Sequence, residues 1–194
     1  KECGVEMMPC RLFEENGRAH FMTKRYDRVG VKERIHAQTM CAMSHMDFNR
    51  NQSYSYEQLF QIMRQLNLTY PEMEQMFRRM VFNAYARNCD DHTKNHSFLM
   101  DNSGKWRLAP AYDVCFAYNP TNFWVKRHAL SINHKREQFT LDDFMVIAKL
   151  INCRKPEAII SEVKNIVSHW QDFAREAHVD DSMNRMISDN IMVD

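Results

Sequence analysis

Glycine is scarce in this sequence. Four occur in 194 residues, at positions 4, 17, 30 and 104, so no Gly-x-Gly-x-x-Gly run exists and no glycine-rich loop that closes over phosphates. Paired cysteine motifs are lacking too. The six cysteines stand at 3, 10, 41, 89, 115 and 153 with no Cys-x-x-Cys, which argues against a zinc ribbon or a compact disulfide framework. Reduced, partly buried thiols in a cytoplasmic protein are the expectation. No apolar run approaches the ~20 residues of a membrane span, and no signal-peptide pattern is present. Charge of one sign is not in excess either. Lys plus Arg number 26 and Asp plus Glu 25, a net charge of +1, so neither nucleic acid nor a membrane is expected as a direct partner. The basic runs Lys24-Arg25 and Lys126-Arg127-His128 are too short to change that.

What is present is enough apolar material for a core: 44% of residues are hydrophobic, well outside the range of disordered chains. The length suits one domain or two small lobes. The first residue is Lys1 rather than Met, and the expectation is a segment of a longer protein. Asn16-Gly17 between two strand-like runs predicts a hairpin over 10–26, followed by a polar loop at 27–33 and a short helix at about 36–43. Leu59, Phe60, Met63 and Leu66 share one helical face. Tyr70-Pro71 restarts a helix whose stripe is Met73, Met76, Phe77, Met80, Val81 and Ala84. A second hairpin is predicted, with strands 96–100 and 105–109 about the turn 101–104. Thr140 and Asp143 read as a capping box before Phe144, Ile147, Ala148 and Ile151. Pro156 opens a helix with Ile159, Val163, Ile166, Val167, Trp170 and Phe173 on one stripe, and 179–191 reads as a last helix.

Between the long helix and the second hairpin lies Asn88-Cys-Asp-Asp-His-Thr-Lys-Asn95. Phosphoryl transfer needs a carboxylate to accept the proton of an attacking hydroxyl, then a second carboxylate and an amide oxygen to hold magnesium. Asp90 and Asn95 have the Asp-x-x-x-x-Asn spacing of a kinase catalytic loop, and the hairpin carries the chain out and back to Asp113. Asn95 and Asp113 are hard oxygen ligands suited to magnesium. Lys94 offers a point charge for a phosphate, and His92 a donor or cation. Other readings stay open on spacing alone. Asp90, Asp91 and Asn95 fit a surface turn. His92 and His96 with Asp90 and Asp91 fit zinc or a di-metal hydrolase centre, and paired acids fit glycoside hydrolysis.

At these residues the chain resembles the HipA family of bacterial serine/threonine kinases, the toxins of toxin–antitoxin pairs. The resemblance covers most of the chain: His20 to Arg28, Arg34-Ile-His36, Met40-Cys41, Asn88 to Phe98, Leu108-Ala-Pro-Ala-Tyr-Asp-Val114 and His128-Ala-Leu-Ser-Ile-Asn133. It implies an α+β, protein-kinase-like fold with a mainly helical C-lobe and β-hairpins, most of the N-lobe being missing. Residues 1–26 would be the end of the small lobe and the hinge strand, and 27–194 the larger lobe. It also implies transfer of the γ-phosphoryl group of ATP, with Mg2+, to a serine or threonine of a protein. Asp90 would be the base, Asn95 and Asp113 the metal ligands, and His92 and Lys94 phosphate contacts. A hinge at 23–26, with Lys24 and Tyr26, would meet adenine, and Asp27 would lie near the ribose. Expected substrates are translation proteins such as aminoacyl-tRNA synthetases, and the expected partner is a DNA-binding antitoxin. Two departures stand out. The family's Gln-Glu-Asp is here Ala37-Gln38-Thr39, so its nucleotide-contacting Gln has no counterpart at Ala37. The phosphate-covering loop and strand lysine, which relatives carry in an N-terminal region, are not in this sequence. A non-catalytic, protein-binding kinase lobe and a small-molecule or lipid kinase are the alternatives. Elsewhere, the fifteen Met residues and Trp106 are read as packing. Phe123-Trp124 is a loop that could touch a protein substrate, and His128 and His134 belong to a solvated loop.

Overall fold

Strand alternation and turn chemistry account for the N-terminal third. The computed structural model describes residues 1–30, 32–50 and 52–193. Positions 31, 51 and 194, within the loop expected at 27–33 and the lobe expected at 27–194, lie outside the described residues. Residues 1–7 lie along the helical body, where Cys3 and Val5 are buried and Ala111 donates its N–H to the Glu6 carbonyl at 2.8 Å. β1 (Cys10–Glu15) and β2 (Arg18–Thr23) form the predicted hairpin. Asn16 and Gly17 take φ of 51° and 73°, the left-handed pair that a two-residue turn requires. The ribbon stands clear of the body, with Leu12, Phe13, Phe21 and Met22 all exposed.

Three expectations are corrected here. The second strand ends at Thr23, so the hinge expected at 23–26 is coil running into a turn. The expected loop at 27–33 contains a two-residue ladder, β3 (Arg28–Val29) with β4 (Glu33–Arg34). The expected helix at 36–43 is a strand over its first half. β5 (His36–Thr39) joins a sheet, and only α1 (Met40–Met43) is helical, with the Thr39 hydroxyl accepting from the Ala42 N–H. Pairing with a distant strand satisfies the backbone groups of 36–39 better than one isolated helical turn would.

The helices follow their apolar stripes. β6 (Tyr54–Ser55) leads into α2 (Tyr56–Gln65), which starts with a Ser55/Gln58 capping box. α3 (Tyr70–Tyr85) begins with Pro71 in its first turn, where the missing N–H costs nothing. All six residues of its predicted stripe are buried, as are Leu59, Phe60 and Met63 of α2. β7 (Ser97–Met100) and β8 (Trp106–Leu108) are the second hairpin, and β7 is the centre of a sheet ordered β5-β7-β8. β9 (Leu130–Ser131) pairs in parallel with β6. α4 (Leu141–Leu150) starts at the predicted Thr140/Asp143 capping box. α5 (Pro156–Ser168) packs on α3. The stripe predicted to run from 159 to 173 breaks at His169, and α6 (Trp170–Glu176) begins there, leaving Phe173 on the surface. α7 (Asp181–Ser188), capped by Asp180, is shorter than the 179–191 predicted.

Candidate active site

The end of α3 sets up the site. After Tyr85 the chain turns at Arg87 (φ 55°), and Asn88 ties back to the helix by donating to Asn83 Oδ1 at 3.0 Å. The loop 88–96 is then fastened to the α1 segment. Met40 N–H donates to the His96 carbonyl at 2.7 Å, and Cys41 N–H to the Thr93 carbonyl at 3.0 Å. Within the loop, Asn95 Nδ2 donates to the Asp90 carbonyl at 2.9 Å. That bond fixes the carboxamide with its oxygen available to a ligand and joins the two ends of the Asp-x-x-x-x-Asn motif.

The hairpin β7–β8 returns the chain to the loop as predicted. Tyr112 OH reaches the Lys94 carbonyl at 2.6 Å and meets the Ser97 hydroxyl, which pins the residue before Asp113 against the loop. Asp113 sits at φ 52°, a left-handed conformation that Asp tolerates better than most residues. Its exposed carboxylate has no hydrogen bond or ion pair among the described residues. Asn95 and Asp113 line one small void together with Asn88, His96 and the buried Arg79. Burial pushes the Arg79 guanidinium down to about 10, still cationic at neutral pH. Asp90 is half-buried. Burial pushes its carboxyl up, His92 opposes this, and the charges of Asp113 and Asp91 add to the rise. That is the direction a proton acceptor working near neutrality needs.

The remaining predicted residues fall in two groups. His92 Nε2 stands 3.8 Å from Asp90 Oδ1, and its ring meets Phe48 edge-on at 4.9 Å. Lys94 Nζ lies 3.4 Å over the centre of the same Phe48 ring. Both are therefore at the loop's outer face, and Phe48 is the aromatic platform that sequence reading missed. In the hinge group, Lys24 is exposed and its N–H donates to the Pro9 carbonyl. Tyr26 packs on Tyr112 with ring centres 5.3 Å apart, which connects the hinge to the Asp113 segment. Asp27 accepts a two-pronged bond from Arg25 at 2.8 and 2.7 Å and also meets Arg28. The Arg25 bond holds its carboxyl down at about 2.

Asp91 is the largest correction. Read as a surface turn or a metal ligand, its side chain is fully buried. Oδ2 accepts from Tyr56 OH at 2.8 Å and from His128 Nδ1 at 3.1 Å. Oδ1 accepts from the N–H groups of Ala129 and Leu130 at 2.8 and 3.3 Å. Tyr56 OH in turn accepts from Asn83 Nδ2 at 2.9 Å. His128, expected in a solvated loop, is buried. Burial alone would lower its pKa, but the Asp91 carboxylate outweighs burial and raises the ring to about 10. His96 goes the other way, lowered by burial to about 4, and its Nε2 meets the Asp91 carbonyl at 3.3 Å. The zinc reading gains nothing from this arrangement: among the described residues no three His, Cys, Asp or Glu side chains gather as a metal site. A cysteine–histidine or zinc signal could not have found the Asp91–His128 pair, since 37 residues separate them.

A helix, a loop closed by the Asn95 carboxamide on the Asp90 backbone carbonyl, and a hairpin that returns Asp113 to that loop form one unit of a kinase-like fold. Comparison with known proteins agrees. Residues 1–170 match the HipA-like C-terminal domain, and the chain belongs to that family. A protein of Sinorhizobium fredii (strain NBRC 101917 / NGR234) named "Putative kinase Y4mE" is 27% identical over 120 residues, covering 57% of this chain and 28% of that protein. The solved structure of the Shewanella oneidensis MR-1 toxin–antitoxin system HipA, HipB and its operator DNA complex contains a chain that matches with a TM-score of 0.71 at 15% identity. That match covers 96% of this chain and 49% of the other, so the likeness is one of fold. The chain spans about half of that structure's chain and 28% of the curated relative.

Proposed function

We propose that this chain carries the base and metal-binding half of an ATP-dependent serine/threonine protein kinase of the HipA type. The observation that supports it most is the bond between Asn95 Nδ2 and the Asp90 carbonyl, with Asp113 tied to the same loop through Tyr112 and Lys94. In this reading the Asp90 carboxylate orients the acceptor hydroxyl and takes its proton. The acceptor oxygen bonds to the γ-phosphorus as the bond from that phosphorus to the β,γ-bridging oxygen breaks, and ADP leaves. Asn95 Oδ1 and the Asp113 carboxylate fit magnesium, being one neutral and one charged oxygen with no competing partner among the described residues, and magnesium usually takes one or two carboxylates plus phosphates. When bound, the metal offsets charge on the phosphate oxygens. His92 and Lys94 meet phosphate, and Lys24, Tyr26 and Asp27 lie toward the nucleoside. In the same reading residues 1–26 are the end of the small lobe and the hinge, except that 1–7 pack on the helical body.

A toxin role in the cytoplasm and a DNA-binding antitoxin as partner are proposed from the family and from the HipB complex of the structural relative. No helix among the described residues is long and apolar enough to cross a membrane. A second reading, a lobe that binds protein without catalysis, is favoured by the exposed apolar ribbon β1–β2. Calorimetric titration with ATP separates the two. The proposal expects magnesium-dependent binding that Asp113→Ala weakens at least tenfold, in this chain or in the full-length protein. Binding indifferent to magnesium and to Asp113 in both contradicts it.

A further inference from the structure

The base and the metal ligands face different spaces. Asn95 and Asp113 line the small void described above, whereas Asp90 and His92 open onto a separate cavity of about 310 Å³. Its walls include Phe48, Tyr54, Trp124 and Val125, with Arg50 at the rim. Mostly apolar walls with a few convergent polar groups are the pattern of a ligand site. His92 Nδ1 in this wall is buried and has no hydrogen-bond partner among the described residues.

One wall is built to present aromatics to solvent. Phe123 is 57% and Trp124 48% exposed, their rings meet edge-on at 5.5 Å, and local bonds hold the segment in shape. Asn119 Oδ1 accepts from the N–H and the hydroxyl of Thr121, and Asn122 Oδ1 accepts from the Trp124 N–H. Two large rings held exposed side by side are apolar surface that a partner would cover. The rim is cationic: Lys94 lies over Phe48, Lys126 near Phe123, and the exposed Arg50 has, among the described residues, only Asp47 at 3.6 Å as an ion-pair partner.

We propose that this cavity is the acceptor site, and that it takes a polypeptide segment with a bulky apolar residue beside the accepting serine or threonine and acidic residues flanking it. The inference rests on Asp90 being the base. The apolar neighbour packs between Trp124 and Phe48 while the hydroxyl meets Asp90. The acidic flanks face Arg50 and Lys126. The cavity excludes water from the base once filled, which a solvated surface loop could not do.

The test uses two synthetic decapeptides with one serine and acidic flanks, identical except for Phe or Gly beside the serine. In the full-length protein the Phe peptide is expected to have at least a tenfold higher kcat/KM, and Trp124→Ala and Phe48→Ala each to shrink that ratio toward one. Equal values for the two peptides, a ratio unmoved by both substitutions, or preferred transfer to a small alcohol overturns the acceptor proposal. Transfer that survives Asp90→Asn overturns the base assignment instead. If neither peptide is phosphorylated, fluorescence polarisation of the labelled Phe peptide decides: saturable binding weakened by Trp124→Ala upholds the proposal, and its absence overturns it.

Discussion

Asp90 and Asp91 are neighbours with opposite surroundings. Asp90 looks outward, half-buried, with His92 Nε2 3.8 Å from its Oδ1. Asp91 looks inward, has no exposed side-chain surface, and accepts four hydrogen bonds from Tyr56, His128, Ala129 and Leu130. One carboxylate is left under-satisfied, as the proposed proton acceptor requires, and the next is fully used to hold the loop that presents it. Adjacent residues on an extended segment point to opposite sides, so a single Asp-Asp step divides reactivity from anchorage.

The largest expected effect follows from removing the anchor. Asp91→Ala leaves the His128 cation, two backbone N–H groups and Tyr56 OH buried without their acceptor. Breaking a buried ion pair this way costs about 3–5 kcal/mol, to be read from urea denaturation of the chain. A loss under about 1 kcal/mol would mean that the inward network does not hold the loop. Tyr56→Phe removes one donor and keeps the ring, with an expected cost of about 1–2 kcal/mol, measured the same way.

The helices were readable from sequence because each is decided locally. Stripes at 3.6-residue spacing, Pro71 and Pro156 in first turns, and the Thr140/Asp143 box all act within a few residues of themselves. The Asn16-Gly17 hairpin is equally local, and the Asp90–Asn95 spacing and the return to Asp113 came through for the same reason. What escaped is non-local. The strand at His36–Thr39 exists because Ser97–Met100 offers it a ladder about sixty residues later. Asp91 and His128 meet across 37 positions, and no pattern near either one announces it. Phe48 and Trp124 as walls of the cavity beside Asp90 are invisible for that reason too.

The pH dependence sharpens the contrast further. His128, raised to about 10 by Asp91, contributes stability that is complete below its unfolded value near 6.5 and is lost as pH rises toward 10. His96, lowered by burial to about 4, contributes stability that is present above 6.5 and is lost as pH falls toward 4. Thermal midpoints should therefore decline on both sides of about pH 6.5. The alkaline arm should flatten in His128→Gln, and an unchanged alkaline arm in that variant would contradict a charged His128. Smaller still is the expected stability change in Asp113→Gly, a gain of up to about 1 kcal/mol from relief of the left-handed backbone. A clear loss would mean that Asp113 has a structural partner. The smallest is Asp90→Asn, which should leave stability within about 0.5 kcal/mol of the parent, because among the described residues this carboxylate accepts no hydrogen bond and has only His92 nearby at 3.8 Å.

That same substitution tests the central claim most directly. In the full-length protein, γ-phosphoryl transfer from ATP to a serine acceptor should fall at least 100-fold in Asp90→Asn, while magnesium-dependent ATP binding stays within about threefold of the parent. Transfer at the parent rate would contradict Asp90 as the base, and with it the division of labour between the two aspartates.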